Sequence, residues 1–207
     1  MYFIIKLLAI GMDCLSSILL LVPAVLFLQS MAGRKVISRH TGVLLIYTCT
    51  LAGIFSVTGL PNIRFHGLDF TCNYIPMTDV LSSPKQYLLN VLMFVPVGFL
   101  LPLLWRRYGD WKHVLGFGCF FTVFIELAQV FTFRATDIDD LITNLAGAAL
   151  GFLAVRALAG KGRIPLPVEE AGKAWKLDGP WMLLLIAFLI YFFIQPFWSA
   201  FFWDLVM

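Results

Sequence analysis

QYLLNVLMFVPVGFLLPLLW, residues 86–105, is a twenty-residue run without a charged side chain. As a helix rising about 1.5 Å per residue it reaches roughly 30 Å, the thickness of a bilayer's hydrocarbon core. Working outward, Gly42–Leu60, Pro180–Trp203 and Cys14–Gly33 are also uncharged. Val114–Phe133 carries one charge, Glu126, and Leu141–Val155 carries none. A mean hydropathy of +0.89 with 13% charged residues agrees with this count, because soluble domains carry roughly 25% charge. The sequence therefore predicts an all-α, polytopic helical membrane protein with about six transmembrane helices.

The first span is read as a retained helix. Its apolar region runs from about Leu7 to Gln29, interrupted by Asp13. That is longer than the roughly 7–15-residue core of a cleaved signal. Orientation follows from the loops. Arg34, Lys35 and Arg39, then Arg106, Arg107 and Lys112, then Arg156, Lys161, Arg163, Lys173 and Lys176 occupy alternate loops. They make up eleven of the 15 basic residues, against Lys6, Arg64, Lys85 and Arg134 on the other side. Basic residues collect on the cytoplasmic side, so both termini are placed outside. The net charge of +3 records this asymmetry and gives no reason to expect nucleic acid as a partner. Cys14, Cys49 and Cys119 fall in spans and Cys72 in an outer loop, with no zinc-like spacing.

Four segments organise the chain. Residues 1–41 hold the first span and a basic cytoplasmic loop, and 42–158 form a four-helix core. Residues 159–180 are a charged, proline-containing cytoplasmic linker, and 181–207 add a final span. That last span is aromatic, is expected to kink at Gln195-Pro196, and is read as peripheral. The outer loop FTCNYIPMTD at 70–79 is expected to fold back on the bundle.

Polar residues concentrate at one depth. RATDIDDLITNLAG, residues 134–147, opens the fifth span with an Arg and three Asp. Thr136 and Asp139 resemble a capping box, and acidic side chains suit a helix's positive end. Asp137, Asp140, Asn144, Gly147 and Gly151 follow steps of three and four and share one stripe. Its deeper part is Gly-x-x-x-Gly, which admits a close neighbouring helix. Asp139 falls off the stripe and is read as a cap or a solvent-facing charge. Glu126 and Gln129 share a face of the fourth span, and Asn90 lies one turn inside the third. Asp13 is close enough to its helix end to join them.

Part of this set must be mutual satisfaction, with Arg134 pairing an aspartate and Asn90 bonding Glu126. Crowded carboxylates also suit a hard-metal site of Glu126, Asp137, Asp140 and Asn144. They suit equally an acid–base site in which Glu126 handles a proton and Arg134 an anion. No nucleophile stands out, since Ser82, Ser83 and His66 are loop residues without a triad pattern. Pro96, Gly98 and Pro102 suggest a kinked, close-packed third span.

NVLMFVPVGFLLP, IELAQ and RATDIDDLITNLAGAALG, taken in order, resemble the VanZ-like family of bacterial membrane proteins. NYIP at 73–76 is similar to that family's Asn-Leu-x-Pro-Phe element, with Met77 where phenylalanine is usual. The resemblance covers roughly 42–158. It carries over Asn90, Pro96, Gly98, Glu126, Gln129, Arg134, Asp137, Asp140, Asn144 and Gly147 as motif positions. It implies a role in lowering susceptibility to teicoplanin, a lipoglycopeptide, at the bacterial plasma membrane. The expectation is an outward-facing site that binds or modifies an amphiphile, a lipid-linked wall precursor or the lipoglycopeptide itself. Glu126, Asp140 and Arg134 are the candidate catalytic groups, and Asn90, Gln129, Asp137 and Asn144 the candidate binding groups. No cofactor is named by the sequence, and enzyme or binder stays open. The competing readings are a transporter or lipid translocator, and a structural partner whose polar cluster only packs helices.

Overall fold

A computed structural model of the chain describes residues 2–35, 37–63, 72–73, 84–132, 136–167 and 179–206. Arg134, His66, Met77, Ser82 and Ser83 lie outside these residues. Among the described residues six helical stretches are long and apolar enough to cross a membrane, as the uncharged runs require. They are α1 (Tyr2–Met31), α2 (Arg39–Thr58), α3 (Pro84–Leu104), α4 (Trp111–Gln129), α5 (Ile138–Gly160) and a composite last stretch. The last comprises α6 (Pro180–Leu189), a π-helical turn (Ile190–Ile194) and α7 (Gln195–Val206). Two short strands, β1 (Cys72–Asn73) and β2 (Thr136–Asp137), pair in parallel. Two compact units result, one holding α1, α2, α6 and α7, the other α3, α4 and α5.

In the first unit, Ser38 caps α2 by accepting from the Thr41 N–H at 3.1 Å. Gly59 ends α2 in the left-handed region at φ 62°, which favours glycine. Leu21, Val25, Leu44, Leu51, Phe55 and Leu183 form its apolar interior. Just before Gln195-Pro196, where a kink is expected, the last stretch carries the π turn. Pro196 has no N–H to give the Phe192 carbonyl, and the Ile63 N–H donates to that carbonyl instead, at 3.0 Å. The last span, read as peripheral, bonds to α1 through polar side chains. Gln195 Nε2 and Ser199 Oγ donate to Asp13 Oδ1 at 2.8 and 2.7 Å. Asp13 thus finds its partners on α7, where an uncompensated carboxylate among apolar side chains would be costly.

The second unit rests on small residues. The Gly-x-x-x-Gly of α5 lies against α3, with Gly147 at the Val91 carbonyl and Gly151 at the Val95 carbonyl. Gly98 of α3 meets the Ala148 backbone in return. A methyl group at any of the three would overlap main-chain atoms, so the two backbones touch here. α3 continues through Pro96 and Pro102 as one helix. Phe94 stacks tilted on Phe121 with centroids 5.4 Å apart, and Phe117 lies 6.0 Å from Phe121, filling the α3–α4 side. Phe120, Val123 and Leu127 on α4, with Leu150 and Leu153 on α5, point outward as a lipid-facing surface would.

Candidate functional site

The polar end of the second unit is built from one turn each of α3, α4 and α5. α5 starts where Asp137 takes an extended conformation and its carboxylate accepts from the Asp139 N–H at 3.0 Å. Asp137 is therefore the N-cap. The N-cap falls one residue beyond the Thr136 expected, because Thr136 and Asp137 are held extended by pairing with β1, and the return bond of a capping box is not made, since the Asp137 N–H donates to Glu126. That pairing also brings residues 72–73 onto the start of α5, while the rest of the loop expected to fold back, 70–79, lies outside the described residues.

Glu126 comes up from α4 and is 6% exposed; its Oε2 accepts from the Asp137 N–H at 3.0 Å. The carboxylate thus holds the β2–α5 junction through a charge-assisted bond to the main chain. Gln129, three residues on, is buried on the same face of α4. α3 contributes Tyr87 and Asn90. Asn90 Nδ2 donates to Asp140 Oδ1 at 2.5 Å, so its partner is Asp140, and not the Glu126 expected from the sequence. The Tyr87 hydroxyl donates to Asp139 Oδ2 in a short hydrogen bond. Asp139 is 2% exposed, which corrects its reading as a solvent-facing charge. Off the α5 stripe it still meets α3, because the glycine contact brings the two helices close enough for a tyrosine to reach it.

Asn144 continues the stripe inward at 2% exposure, and its Oδ1 has no hydrogen-bond partner among the described residues. Of the sequence-predicted site residues, Asn90, Glu126, Gln129, Asp137, Asp140 and Asn144 therefore sit on the facing turns of three helices of one unit. Arg134 lies outside the described residues. Among the described residues no group of three or more His, Cys, Asp or Glu side chains is placed to hold a metal ion. Tyr87 and Asp139 are additions the sequence reading missed. Tyr87 stands three residues before Asn90, on the same face of α3, and that spacing was the available signal.

The family model described as VanZ/LLP1 matches residues 17–159. The chain belongs to the VanZ/LLP1 family. It is also 29% identical over 124 residues to Protein VanZ of Enterococcus faecium, covering 56% of this chain and 72% of that protein. No solved structure matches the chain. With six helices of membrane-spanning length, this VanZ/LLP1 member is a multi-pass membrane protein. The match takes in every polar residue of the α3–α5 end and stops short of Asp13 and of the last span.

Proposed function

We propose that the polar end of α3–α5 faces the exterior of a bacterial plasma membrane and binds or modifies an amphiphile in the outer leaflet. The amphiphile is a lipid-linked wall precursor or a lipoglycopeptide, and engaging it lowers teicoplanin susceptibility. The observation that carries the reading is Glu126, a nearly buried carboxylate at a three-helix junction that also gathers Asp137, Asp139 and Asp140. Such a density of acidic groups beside hydrocarbon is unfavourable unless a task retains it. The bias of Lys and Arg to the opposite loops supports the orientation. In this reading Glu126, Asp140 and Arg134 act on the ligand's polar group, while Asn90, Gln129, Asp137 and Asn144 hold it.

A second reading has its own support. Tyr87 and Asn90 already satisfy carboxylates of α5, so the cluster also serves as a packing network. Teicoplanin and vancomycin susceptibility separates the two, in a Gram-positive host expressing wild type, Glu126→Gln or Asp140→Asn at matched membrane levels. Selective teicoplanin protection by wild type, lost in both variants with melting temperature in detergent unchanged, is the expected result. Protection that falls only in step with melting temperature would leave the packing network as the whole account.

A further inference from the structure

The α4–α5 contact fixes a register. A methyl on Gly118 would lie 3.3 Å from Ala148 Cβ, so these two residues face each other. The helices run antiparallel, as the short connection between their adjacent ends requires. One turn toward the polar end therefore reaches Thr122 on α4 and Asn144 on α5, and the next turn reaches Glu126 and Asp140. The same ladder closes at its top where Glu126 accepts from the Asp137 N–H.

The middle rung is unlike its neighbours. Thr122 is 0% exposed and Asn144 is 2% exposed. Neither Thr122 Oγ1 nor Asn144 Oδ1 has a hydrogen-bond partner among the described residues. A threonine within a helix commonly bonds a carbonyl one turn back, as Thr48, Thr58 and Thr143 do. Thr122 leaves that bond unmade. Two buried oxygens without partners, on facing helices at one level, disfavour the closed bundle and favour any ligand that donates to both.

We propose that Thr122 and Asn144 form the floor of a subsite for a protonated primary amine carried by the amphiphile. The inference rests on the proposed site and deepens it, by naming the ligand's chemical class and adding Thr122. A hydroxyl oxygen, an amide oxygen and, one turn above Thr122, a carboxylate make an accepting set. A primary ammonium brings three N–H donors to these three groups and a positive charge beside a nearly buried carboxylate. An alcohol brings one donor and no charge. A quaternary ammonium brings the charge and no donor.

Those differences define the test, made on the full chain purified in a neutral maltoside detergent. Dodecylammonium, dodecyltrimethylammonium and dodecanol are titrated into wild type, Thr122→Val and Asn144→Leu, and Kd and melting temperature are read together. Wild type should bind dodecylammonium at least ten-fold tighter than the other two probes, and each variant should lose at least ten-fold. Both variants should melt at or above the wild-type temperature, since each removes an unpartnered buried oxygen. Equal binding by wild type and the variants would overturn the proposal, as would dodecanol binding as tightly as dodecylammonium. A lowered melting temperature with unchanged binding would assign the rung to packing and overturn it too. Repeating the titration in phosphatidylcholine nanodiscs with and without phosphatidylethanolamine identifies the source of the amine. Weakening by phosphatidylethanolamine supports the subsite with a bilayer aminolipid as ligand, and an unchanged Kd supports it with a free amphiphile. Susceptibility that still depends on Glu126 while the amine titrations fail would sink the subsite alone. Amine binding that holds while Glu126→Gln leaves susceptibility unchanged would sink the functional reading alone.

Discussion

Each unit places carboxylates among apolar helices, and the two settle them differently. In the α1–α2–α6–α7 unit, Asp13 meets Gln195 and Ser199, and the Ser16 and Ser17 hydroxyls donate to its main-chain carbonyl at 2.9 and 2.8 Å. Around Asp13 these donors and acceptors are matched within the chain. In the α3–α5 unit the surface rung is bonded through Tyr87 and Asn90, yet the rung beneath it leaves Thr122 and Asn144 oxygens unmatched. A matched set holds helices together, whereas a set with spare acceptors carries a stability cost that binding a donor would offset. The VanZ/LLP1 match includes the second set and omits Asp13, Gln195 and Ser199. On the proposed reading the first set packs helices and the second holds a ligand.

The comparison breaks most completely if its frame is removed. Gly147→Leu would push a side chain into the Val91 carbonyl and the Phe94 side chain, with backbone on one side that has nowhere to go. Overpacking of this kind costs about 1–3 kcal/mol in a soluble core and occasionally more. Here main-chain atoms are in the way, so loss of the α3–α5 contact is expected. Size-exclusion chromatography in detergent should show aggregated protein; a monodisperse variant with wild-type melting temperature would mean the helices need not touch.

Asp13→Ala probes the matched set. It deletes the acceptor for two interhelical hydrogen bonds and leaves Gln195, which is 2% exposed, without that partner. Interhelical bonds in membranes are worth about 0.6 kcal/mol on average and up to about 1.7. A loss of roughly 1–3 kcal/mol is expected, read as a lowered melting temperature, with teicoplanin susceptibility unchanged at matched expression. A change in susceptibility without loss of stability would erase the distinction drawn between the two units.

Tyr87→Phe sharpens the other side. The substitution keeps the ring and removes one donor from the buried Asp139 carboxylate. A hydrogen bond to a charged group contributes about 1.5–3 kcal/mol in general, and the membrane figures above place this one toward the lower end. Stability should fall by about 1.5 kcal/mol while dodecylammonium binding at the Thr122–Asn144 rung, a turn or more away, stays within two-fold. A ten-fold change in that affinity would show surface and floor to be one network.

Much of this is legible in the sequence because membrane constraints are local and strong. Uncharged runs of about twenty residues announce their helices, and Gly147 and Gly151 announce a tight contact by spacing alone. The stripe through Asp140, Asn144, Gly147 and Gly151 follows from helix geometry, and the structure keeps it, while Asp137 stands ahead of the helix as its cap. What stays hidden depends on which helices meet and at what register. Asp139 is misplaced by helix counting, which gives a direction and not the distance to the next backbone, and the glycines shorten that distance. Asn90 pairs with Asp140 because α3 and α5 run parallel and touch, a fact no single-helix pattern contains. Gln195 and Ser199, four residues apart on one face, are the visible sign that the last span has a polar partner, and Asp13 alone does not say from which helix its partner comes.

The smallest expected effect concerns that last span. Pro196 cannot donate to the Phe192 carbonyl, and the Ile63 N–H takes its place at 3.0 Å. The Gln195 N–H donates to the Ile190 carbonyl, the wider π spacing that adds one residue to the turn before Gln195. Pro196→Ala restores an N–H that competes with Ile63 for the same carbonyl. An ordinary α turn would then rotate Gln195 by about 100° relative to Asp13, from 3.6 residues per turn. The bonds exchanged are similar in number, so melting temperature should move by the equivalent of less than about 1 kcal/mol. The sharper readout is a double-mutant cycle between Asp13→Ala and Gln195→Ala, measured once in the wild-type background and once in the Pro196→Ala background. Coupling present with proline and lost with alanine would show that the π turn sets the register of the Asp13 contact. Coupling of equal size in both backgrounds would mean α1 and the packing around α7 hold Gln195 in place without it.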